Sequence, residues 1–437
     1  MKTKRRMFGG IALFLFTAVT MAVVLLTLFP QVGAQAAKPL RSLIGNEGVA
    51  QLETILFRVQ DAARQTQYQA GLSPVEAPWE MGTAVSTAAV VTAPPTTPTP
   101  SFTPTSTPPF TGTAVIKQSL ATPTNIPTVT SAPAPTAVPI PTTWTLSPLL
   151  PLGTLAGEGI WQPYLFNPAG EVVAVRTFLQ PDPERPYALA AVVAFDLRKT
   201  RLHYVLGSEE PALPDGPHGY GRIAPAHQTS DLLLATFNGG FMASHGAYGA
   251  MADGLTALPA KEGYATVTIA AGDGRVRIGE WGYDIPADGD YQSWRQNARL
   301  ITQNGQITGR VYNGSAATWG SSINGDVVTW RSALGLSEDG QVLYFAAGPS
   351  LSMPALAEAL QTAGAYNSLL LDINESWVHF TAVHFVGDDL AAEPLLPEGM
   401  SSNADRYLKQ SQRDFFYVTA IEFGDTGADT GADSGRP

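Results

Sequence analysis

The sequence predicts an α+β fold: a single mixed-sheet domain with flanking helices, preceded by a transmembrane helix and a disordered Pro/Thr-rich stalk. Three observations lead there. A basic start is followed by an uncharged apolar run; a long segment is dominated by Pro, Thr, Ser and Ala; the remainder alternates short apolar runs, Gly turns and one sharply bounded helix. With 437 residues, 44% of them apolar, the chain can fill one large or two ordinary domains, and uniform disorder is excluded.

Residues 1–36 form the first piece. Lys2, Lys4, Arg5 and Arg6 precede the run from Met7 to Phe29, which as a helix spans about 34 Å, against a hydrocarbon core of about 30 Å. A secretory signal has a shorter apolar core of about 7–15 residues, so the run reads as a retained single-pass anchor, with Ala34-Gln35-Ala36 as an alternative cleavage site. In both cases the basic end stays cytoplasmic and the folded domain lies on the outer side of the cell membrane. Residues 37–81 are expected to hold a juxtamembrane amphipathic helix that rests on the membrane surface or on itself. Asn46 stands at its N-cap, Val49, Leu52, Ile55, Leu56 and Val59 follow at helical spacing, and Gly71 ends it.

Residues 82–147 are a linker, typified by Pro94-Pro95-Thr96-Thr97-Pro98-Thr99-Pro100. Such a composition buries too little apolar surface to offset its ordering entropy, and proline keeps it extended. Residues 148–423 carry the folded domain, and 424–437 repeat Gly-Ala-Asp and Asp-Thr-Gly as a disordered acidic tail.

Charge and motif content narrow the chemistry. The net charge is −11 although four of the first six residues are basic, so phosphate backbones are repelled and nucleic acid is set aside as a partner. Without Cys there are no disulfides, thiol nucleophiles or Cys-ligated metal sites. No Walker loop, His-Glu-x-x-His or dinucleotide fingerprint occurs, and Gly348-Pro349-Ser350-Leu351-Ser352 misses Gly-x-Ser-x-Gly at its last position. The six His are not spaced as metal ligands; the sequence requires no cofactor, and a divalent cation stays open.

Three segments of the domain join an apolar strand to a polar cluster. Leu232 to Phe237 reads as a buried strand ending in Asn238-Gly239-Gly240-Phe241, where two glycines let backbone amides approach a ligand closely or simply make a tight turn. Trp330 to Leu336 and Val342 to Ala346 read as a hairpin about an Asp339-Gly340 turn. Arg331 at its start suits a phosphate or carboxylate, or an internal ion pair. Finally, Ser352 caps a helix with Pro354 in its first turn and Gly364 at its end, followed by Ser368-Leu369-Leu370-Leu371 and then Asp372-Ile373-Asn374-Glu375-Ser376. A carboxylate after three leucines is partly desolvated, which raises its pKa toward the range of acid–base work.

In this order and spacing the three segments resemble the phosphodiester glycosidase family. The family's Asn-Gly-Gly-Phe motif matches Asn238 to Phe241, its Arg-Thr/Ser-Ala-x-Gly motif matches Arg331-Ser332-Ala333-Leu334-Gly335, and its helix, Gly-Ala-Tyr turn and strand match Ser352 to Asp372 with Gly364-Ala365-Tyr366. One motif departs: where the family has Asp-Gly-Gly-Gly-Ser, Ile373, Asn374 and Glu375 fill the glycine positions, leaving Asp372 and Ser376.

The resemblance implies cleavage of the bond from an anomeric carbon to a phosphodiester oxygen in a sugar-phosphate or polysaccharide substrate. Asp372 is then the first carboxylate, with Glu375 and Asp253 as candidates for a second. Arg331 would hold the phosphate, Asn238 and the Gly239 and Gly240 amides would position sugar hydroxyls or phosphate oxygens, and His245, Ser332 and Ser376 would line the same substrate site. A membrane-tethered hydrolase of envelope or extracellular polysaccharide is the expected function. The alternative is a non-catalytic glycan-binding module using Trp281, Trp294, Trp319 or Trp377 as stacking surfaces.

Overall fold

The computed structural model describes residues 30–80, 144–228, 230–313, 319, 327–386 and 389–421; the Met7–Phe29 run, nearly all of the linker and the acidic tail lie outside them. Among the described residues no helix is long and apolar enough to cross a membrane.

The domain is mostly β, in three sheets. The largest has eight strands in the order Gln162–Phe166, Val172–Leu179, Ala190–Asp196, Val342–Leu351, Thr329–Leu336, Asn367–Ile373, Leu300–Gln303 and Gln306–Ile307. A five-stranded sheet runs Asp389–Pro394, Phe380–Val386, Leu233–Asn238, Phe415–Ala420 and Thr200–Val205. The third, also of five strands, contains the hairpin Ala250–Ala252 and Leu255–Leu258 and the strands Tyr291–Gln296, Ala265–Ala270 and Val276–Glu280.

All neighbouring strands pair antiparallel, which corrects the expected single mixed sheet. The reason lies in the crossover. The helix Met353–Ala363 carries the chain from Val342–Leu351 to Asn367–Ile373, and these two strands do point the same way, but Thr329–Leu336 lies between them and pairs antiparallel with both. The flanking helices are also fewer than expected: this crossover is the one helix longer than four residues among the described residues beyond 144. Its caps are those the sequence specifies: the Ser352 side chain accepts from Ala355 N–H, and Gly364 takes the left-handed conformation at φ 100° that spares a side chain steric cost.

Burial follows a period of two across the large sheet. Leu334, Phe345, Leu369 and Leu371 join one core with Phe237, Phe380 and Phe416 of the five-stranded sheet. Their neighbours Ala333, Tyr344, Ala346 and Leu370 join a second core with Leu356 and Leu360 of the crossover helix. The Phe345 ring of the large sheet lies 5.0 Å from both Phe237 and Phe380 of the five-stranded sheet, which ties the two sheets face to face. With both faces covered, the central strands read as continuous apolar runs although they are antiparallel.

The N-terminal helix Pro30–Gln69 breaks at Gly45, which has φ 73° and ψ 174°, immediately before Asn46. Its second part packs on the domain instead of on itself. Phe57 enters the second core, and Leu52, Ile55 and Val59 stay exposed. Asp61 accepts from Arg185 at 3.0 Å and from the Tyr187 hydroxyl at 2.8 Å, while Arg64 Nη1 donates to Ser350 Oγ at 2.8 Å.

Candidate functional site

The three segments singled out in the sequence meet where the two packed sheets end. Asn238 closes its strand, pairs in register with Phe415, and is 2% exposed. Its Nδ2 donates across the gap between sheets to Ser332 Oγ at 3.0 Å, and its Oδ1 accepts from the His379 N–H at 3.0 Å. Ser332 Oγ also accepts from the Asp372 N–H at 3.2 Å. One residue from each segment therefore shares a single hydroxyl.

Asp372 is 4% exposed, and both carboxylate oxygens are held. Oδ1 accepts from the Ile373 N–H at 2.8 Å; Oδ2 accepts from Arg413 Nη2 at 2.6 Å. Burial pushes its pKa up to about 6, with the Arg413 guanidinium opposing the rise. Arg413 also donates to the Gly240 carbonyl at 2.7 Å and lies 4.4 Å over the Trp377 ring.

Behind this pair sits a second. Asp414 Oδ2 accepts from Arg295 Nε at 2.8 Å, the Tyr204 hydroxyl at 3.0 Å and the Gly240 N–H at 3.1 Å. Arg295 has no exposed surface and donates further to the carbonyls of Phe241, Gln296 and Tyr248. The Gly239 and Gly240 amides thus both serve Asp414, Gly239 through the Asp414 carbonyl at 3.1 Å, instead of facing a ligand. A Cβ at Gly239 would land on the Asp414 carboxylate. Gly239→Ala is expected to destabilise the fold by about 2–3 kcal/mol, measured by urea unfolding, since neither the buried carboxylate nor the backbone carbonyl behind it can give way.

The remaining candidates are scattered. Arg331 is 1% exposed and donates from Nε to the Leu351 carbonyl at 2.8 Å and from Nη2 to Val327 at 2.6 Å; burial pulls its pKa down to about 9. It braces strand ends, and among the described residues its guanidinium makes no ion pair with Asp372. Glu375 is half-buried and its pKa is raised by burial, with Arg64 opposing and Glu398 reinforcing. Asp253 lies exposed at φ 50° in a hairpin turn of the third sheet, where it accepts from Gln292 Nε2 at 3.3 Å, and does not join Asp372. His245 closes the short turn Ala243–His245 and meets Phe241 edge-on at 6.3 Å. Ser376 donates its N–H to Asn374 Oδ1 at 3.2 Å.

Of Ile373, Asn374 and Glu375, one takes a backbone conformation that favours glycine. Asn374 has φ 85°, a left-handed conformation that asparagine tolerates better than most residues, and its N–H donates to the Trp330 carbonyl at 3.0 Å. Of the proposed stacking surfaces, Trp281, Trp294 and Trp319 are buried in core clusters, and Trp377 lies half-buried beneath Arg413. No group of three His, Cys, Asp or Glu that would hold a metal ion occurs among the described residues.

Arg413, Asp414, Arg295 and Tyr204 were not among the residues the sequence indicated. One signal was available: Arg413-Asp414 stands directly before the apolar run Phe415 to Val418, the mirror of Asp372 after its three leucines.

No protein-family model and no curated protein matches the chain. Among solved structures, this chain is distantly similar to a glycosidase catalytic domain. That domain belongs to zebrafish N-acetylglucosamine-1-phosphodiester alpha-N-acetylglucosaminidase, auto-inhibited by its pro-peptide, and the match covers 60% of this chain and 88% of that one at 14% identity and a TM-score of 0.37. A hypothetical protein from Synechocystis matches over 60% of this chain and 62% of its own, at 11% identity and a TM-score of 0.32.

Proposed function

We propose that this chain is an exported, membrane-tethered hydrolase that cleaves sugar-1-phosphodiesters of the cell envelope or of extracellular polysaccharide. The observation that carries the reading is the convergence of Asn238, Ser332 and Asp372 on one hydrogen-bonded cluster, with a buried carboxylate held by an arginine at its end. Export and tethering rest on the Met7–Phe29 run and the basic residues before it.

Chemically, water adds to the anomeric carbon, the bond from that carbon to the phosphodiester oxygen breaks, and the products are a free sugar and a phosphomonoester. Asp372 acts as general base: it takes the proton of the attacking water and later gives it up to solvent. A base with a pKa near 6 is ionised at neutral pH and still accepts a proton in the transition state. The phosphate leaves as a stable anion, so the departing oxygen needs little protonation, and a second carboxyl is less important than in ordinary glycoside hydrolysis. Arg413 keeps the base oriented and partly ionised.

The test is release of free sugar from a panel of sugar-1-phosphodiesters, including N-acetylglucosamine-phospho-mannose, by the purified full chain. Turnover is expected to rise with pH through about 6 and then level off, because Asp372 must be ionised to act. In Arg413→Gln the rising limb should move to higher pH, since the charge that opposes the burial effect is gone. Absence of release from folded protein, or a flat profile between pH 4 and about 8, contradicts the role of Asp372 as base.

A further inference from the structure

We infer that Arg406 is the phosphate-binding residue of this site, an inference that rests on the sugar-phosphodiester reading above. Each other arginine at the site already has its partners. Arg413 is matched by Asp372, Arg295 by Asp414, and Arg331 is bound to two carbonyls.

Arg406 differs. It is half-buried, and among the described residues it makes no ion pair; the adjacent Asp405 pairs with Lys409 instead. Its Nη1 donates to the Ser376 carbonyl at 2.7 Å, and its guanidinium lies 5.6 Å from the Trp377 ring that also carries Arg413. Ser376 and Trp377 follow Asp372 by four and five residues, so the two guanidinium groups and the carboxylate border one short stretch of chain.

The segment that presents Arg406 is fixed from behind. Tyr407 is 2% exposed and stacks on Phe415 at 4.7 Å. The Thr381 hydroxyl donates to the Ala404 carbonyl at 2.7 Å, and the Arg406 N–H donates to Asn403 at 2.9 Å. His379, edge-on to Tyr407, is held neutral by burial and by Arg406 itself, so it adds no competing charge.

A guanidinium with no ion pair among the described residues, beside a paired carboxylate, leaves local positive charge in a chain that is otherwise strongly acidic. A phosphodiester, with one negative charge and two free oxygens, completes that arrangement and meets the planar fork of an arginine in two parallel hydrogen bonds. The anomeric carbon, one bond from the bridging phosphodiester oxygen, is then brought to the side of the clamp where Asp372 stands.

Titration calorimetry on the full chain tests this with N-acetylglucosamine-1-phosphate and inorganic phosphate as probes and N-acetylglucosamine as the neutral control. Arg406→Gln should weaken both phosphate probes at least tenfold and leave the neutral sugar unchanged. Arg406→Lys, which keeps the charge and loses the fork, should fall between the two. Equal phosphate affinity in the parent and Arg406→Gln, or no phosphate binding by the folded parent, overturns the assignment. Phosphate binding that depends on Arg406 in a protein without turnover would overturn the hydrolase reading and leave the clamp. Turnover with an unchanged KM in Arg406→Gln would do the reverse.

Discussion

Asp372→Asn is expected to lower the turnover of a sugar-1-phosphodiester by about a thousandfold or more while the protein stays folded. Asparagine has nearly the same shape, and its Oδ1 still accepts from the Ile373 N–H, so the strand end should keep its path at the cost in stability of leaving Arg413, 10% exposed, without its carboxylate. What is lost is the carboxylate that, on the proposed mechanism, accepts the proton of the attacking water. The measurement is kcat at pH 8, well above the carboxyl's pKa of about 6, where the parent base is ionised and the comparison is free of titration. A fall in kcat with little change in KM is the expected pattern, because the carboxylate acts in the transition state more than in binding. Full activity in the variant would remove Asp372 from the chemistry.

The Asp372 carboxyl also has a calculable effect on stability. Its folded pKa is raised, so the folded state holds a proton that the unfolded chain, with a carboxyl near 3.8, has already released. The favourable contribution is complete below the unfolded value and is lost as pH rises to about 6. A carboxyl buried in this way is thus carried at some loss of stability at neutral pH.

Asp414→Asn should have the largest effect on folding. The carboxylate is the charge partner of Arg295, and the two side chains are 1% and 0% exposed. Removing one member of a fully buried pair leaves an uncompensated charge in low dielectric, and the expected loss is about 3–5 kcal/mol in guanidinium unfolding. Arg295→Met should lose a similar amount for the complementary reason. The double variant Arg295→Met with Asp414→Asn should lose less than the sum, since no charge is then left unpaired. Additive losses would show that the pair is held apart by its other hydrogen bonds and is not coupled.

The local elements were readable because each carried its own boundary signals. Ser352, Pro354 and Gly364 bracket the crossover helix, and Asp339-Gly340 closes the hairpin; their chemistry acts over a few residues and needs no partner. The sheet arrangement was hidden for a physical reason. Leu369, Leu370 and Leu371 are apolar because both faces of the strand are covered, and that pattern is the same whether the neighbours run parallel or antiparallel. The crossover helix joins two strands that point the same way but are not neighbours, because Thr329–Leu336 occupies the position between them.

The site divides in the same way. Asn238 and Asp372 stood out as polar residues at the ends of apolar runs, Ser332 came only with the motif resemblance, and their register brings the three together. Arg295, inside a strand containing Tyr291, Gln292 and Gln296, has no such contrast with its neighbours, and only the packing of the third sheet against Phe241 and Asp414 gives it a role. The position of Arg331 in its motif says nothing of where its guanidinium ends. It donates to the carbonyls of Leu351 and Val327, and under the inference above a phosphate would be met by Arg406 instead.

The central claim is that water activated by Asp372 attacks the anomeric carbon. Hydrolysis of N-acetylglucosamine-phospho-mannose in oxygen-18 water, followed by mass spectrometry of both products, tests it most directly. The account predicts the label in the hydroxyl on the anomeric carbon of the released sugar, with the phosphomonoester unlabelled. Label in the phosphate would mean cleavage of a phosphorus–oxygen bond, and would contradict it.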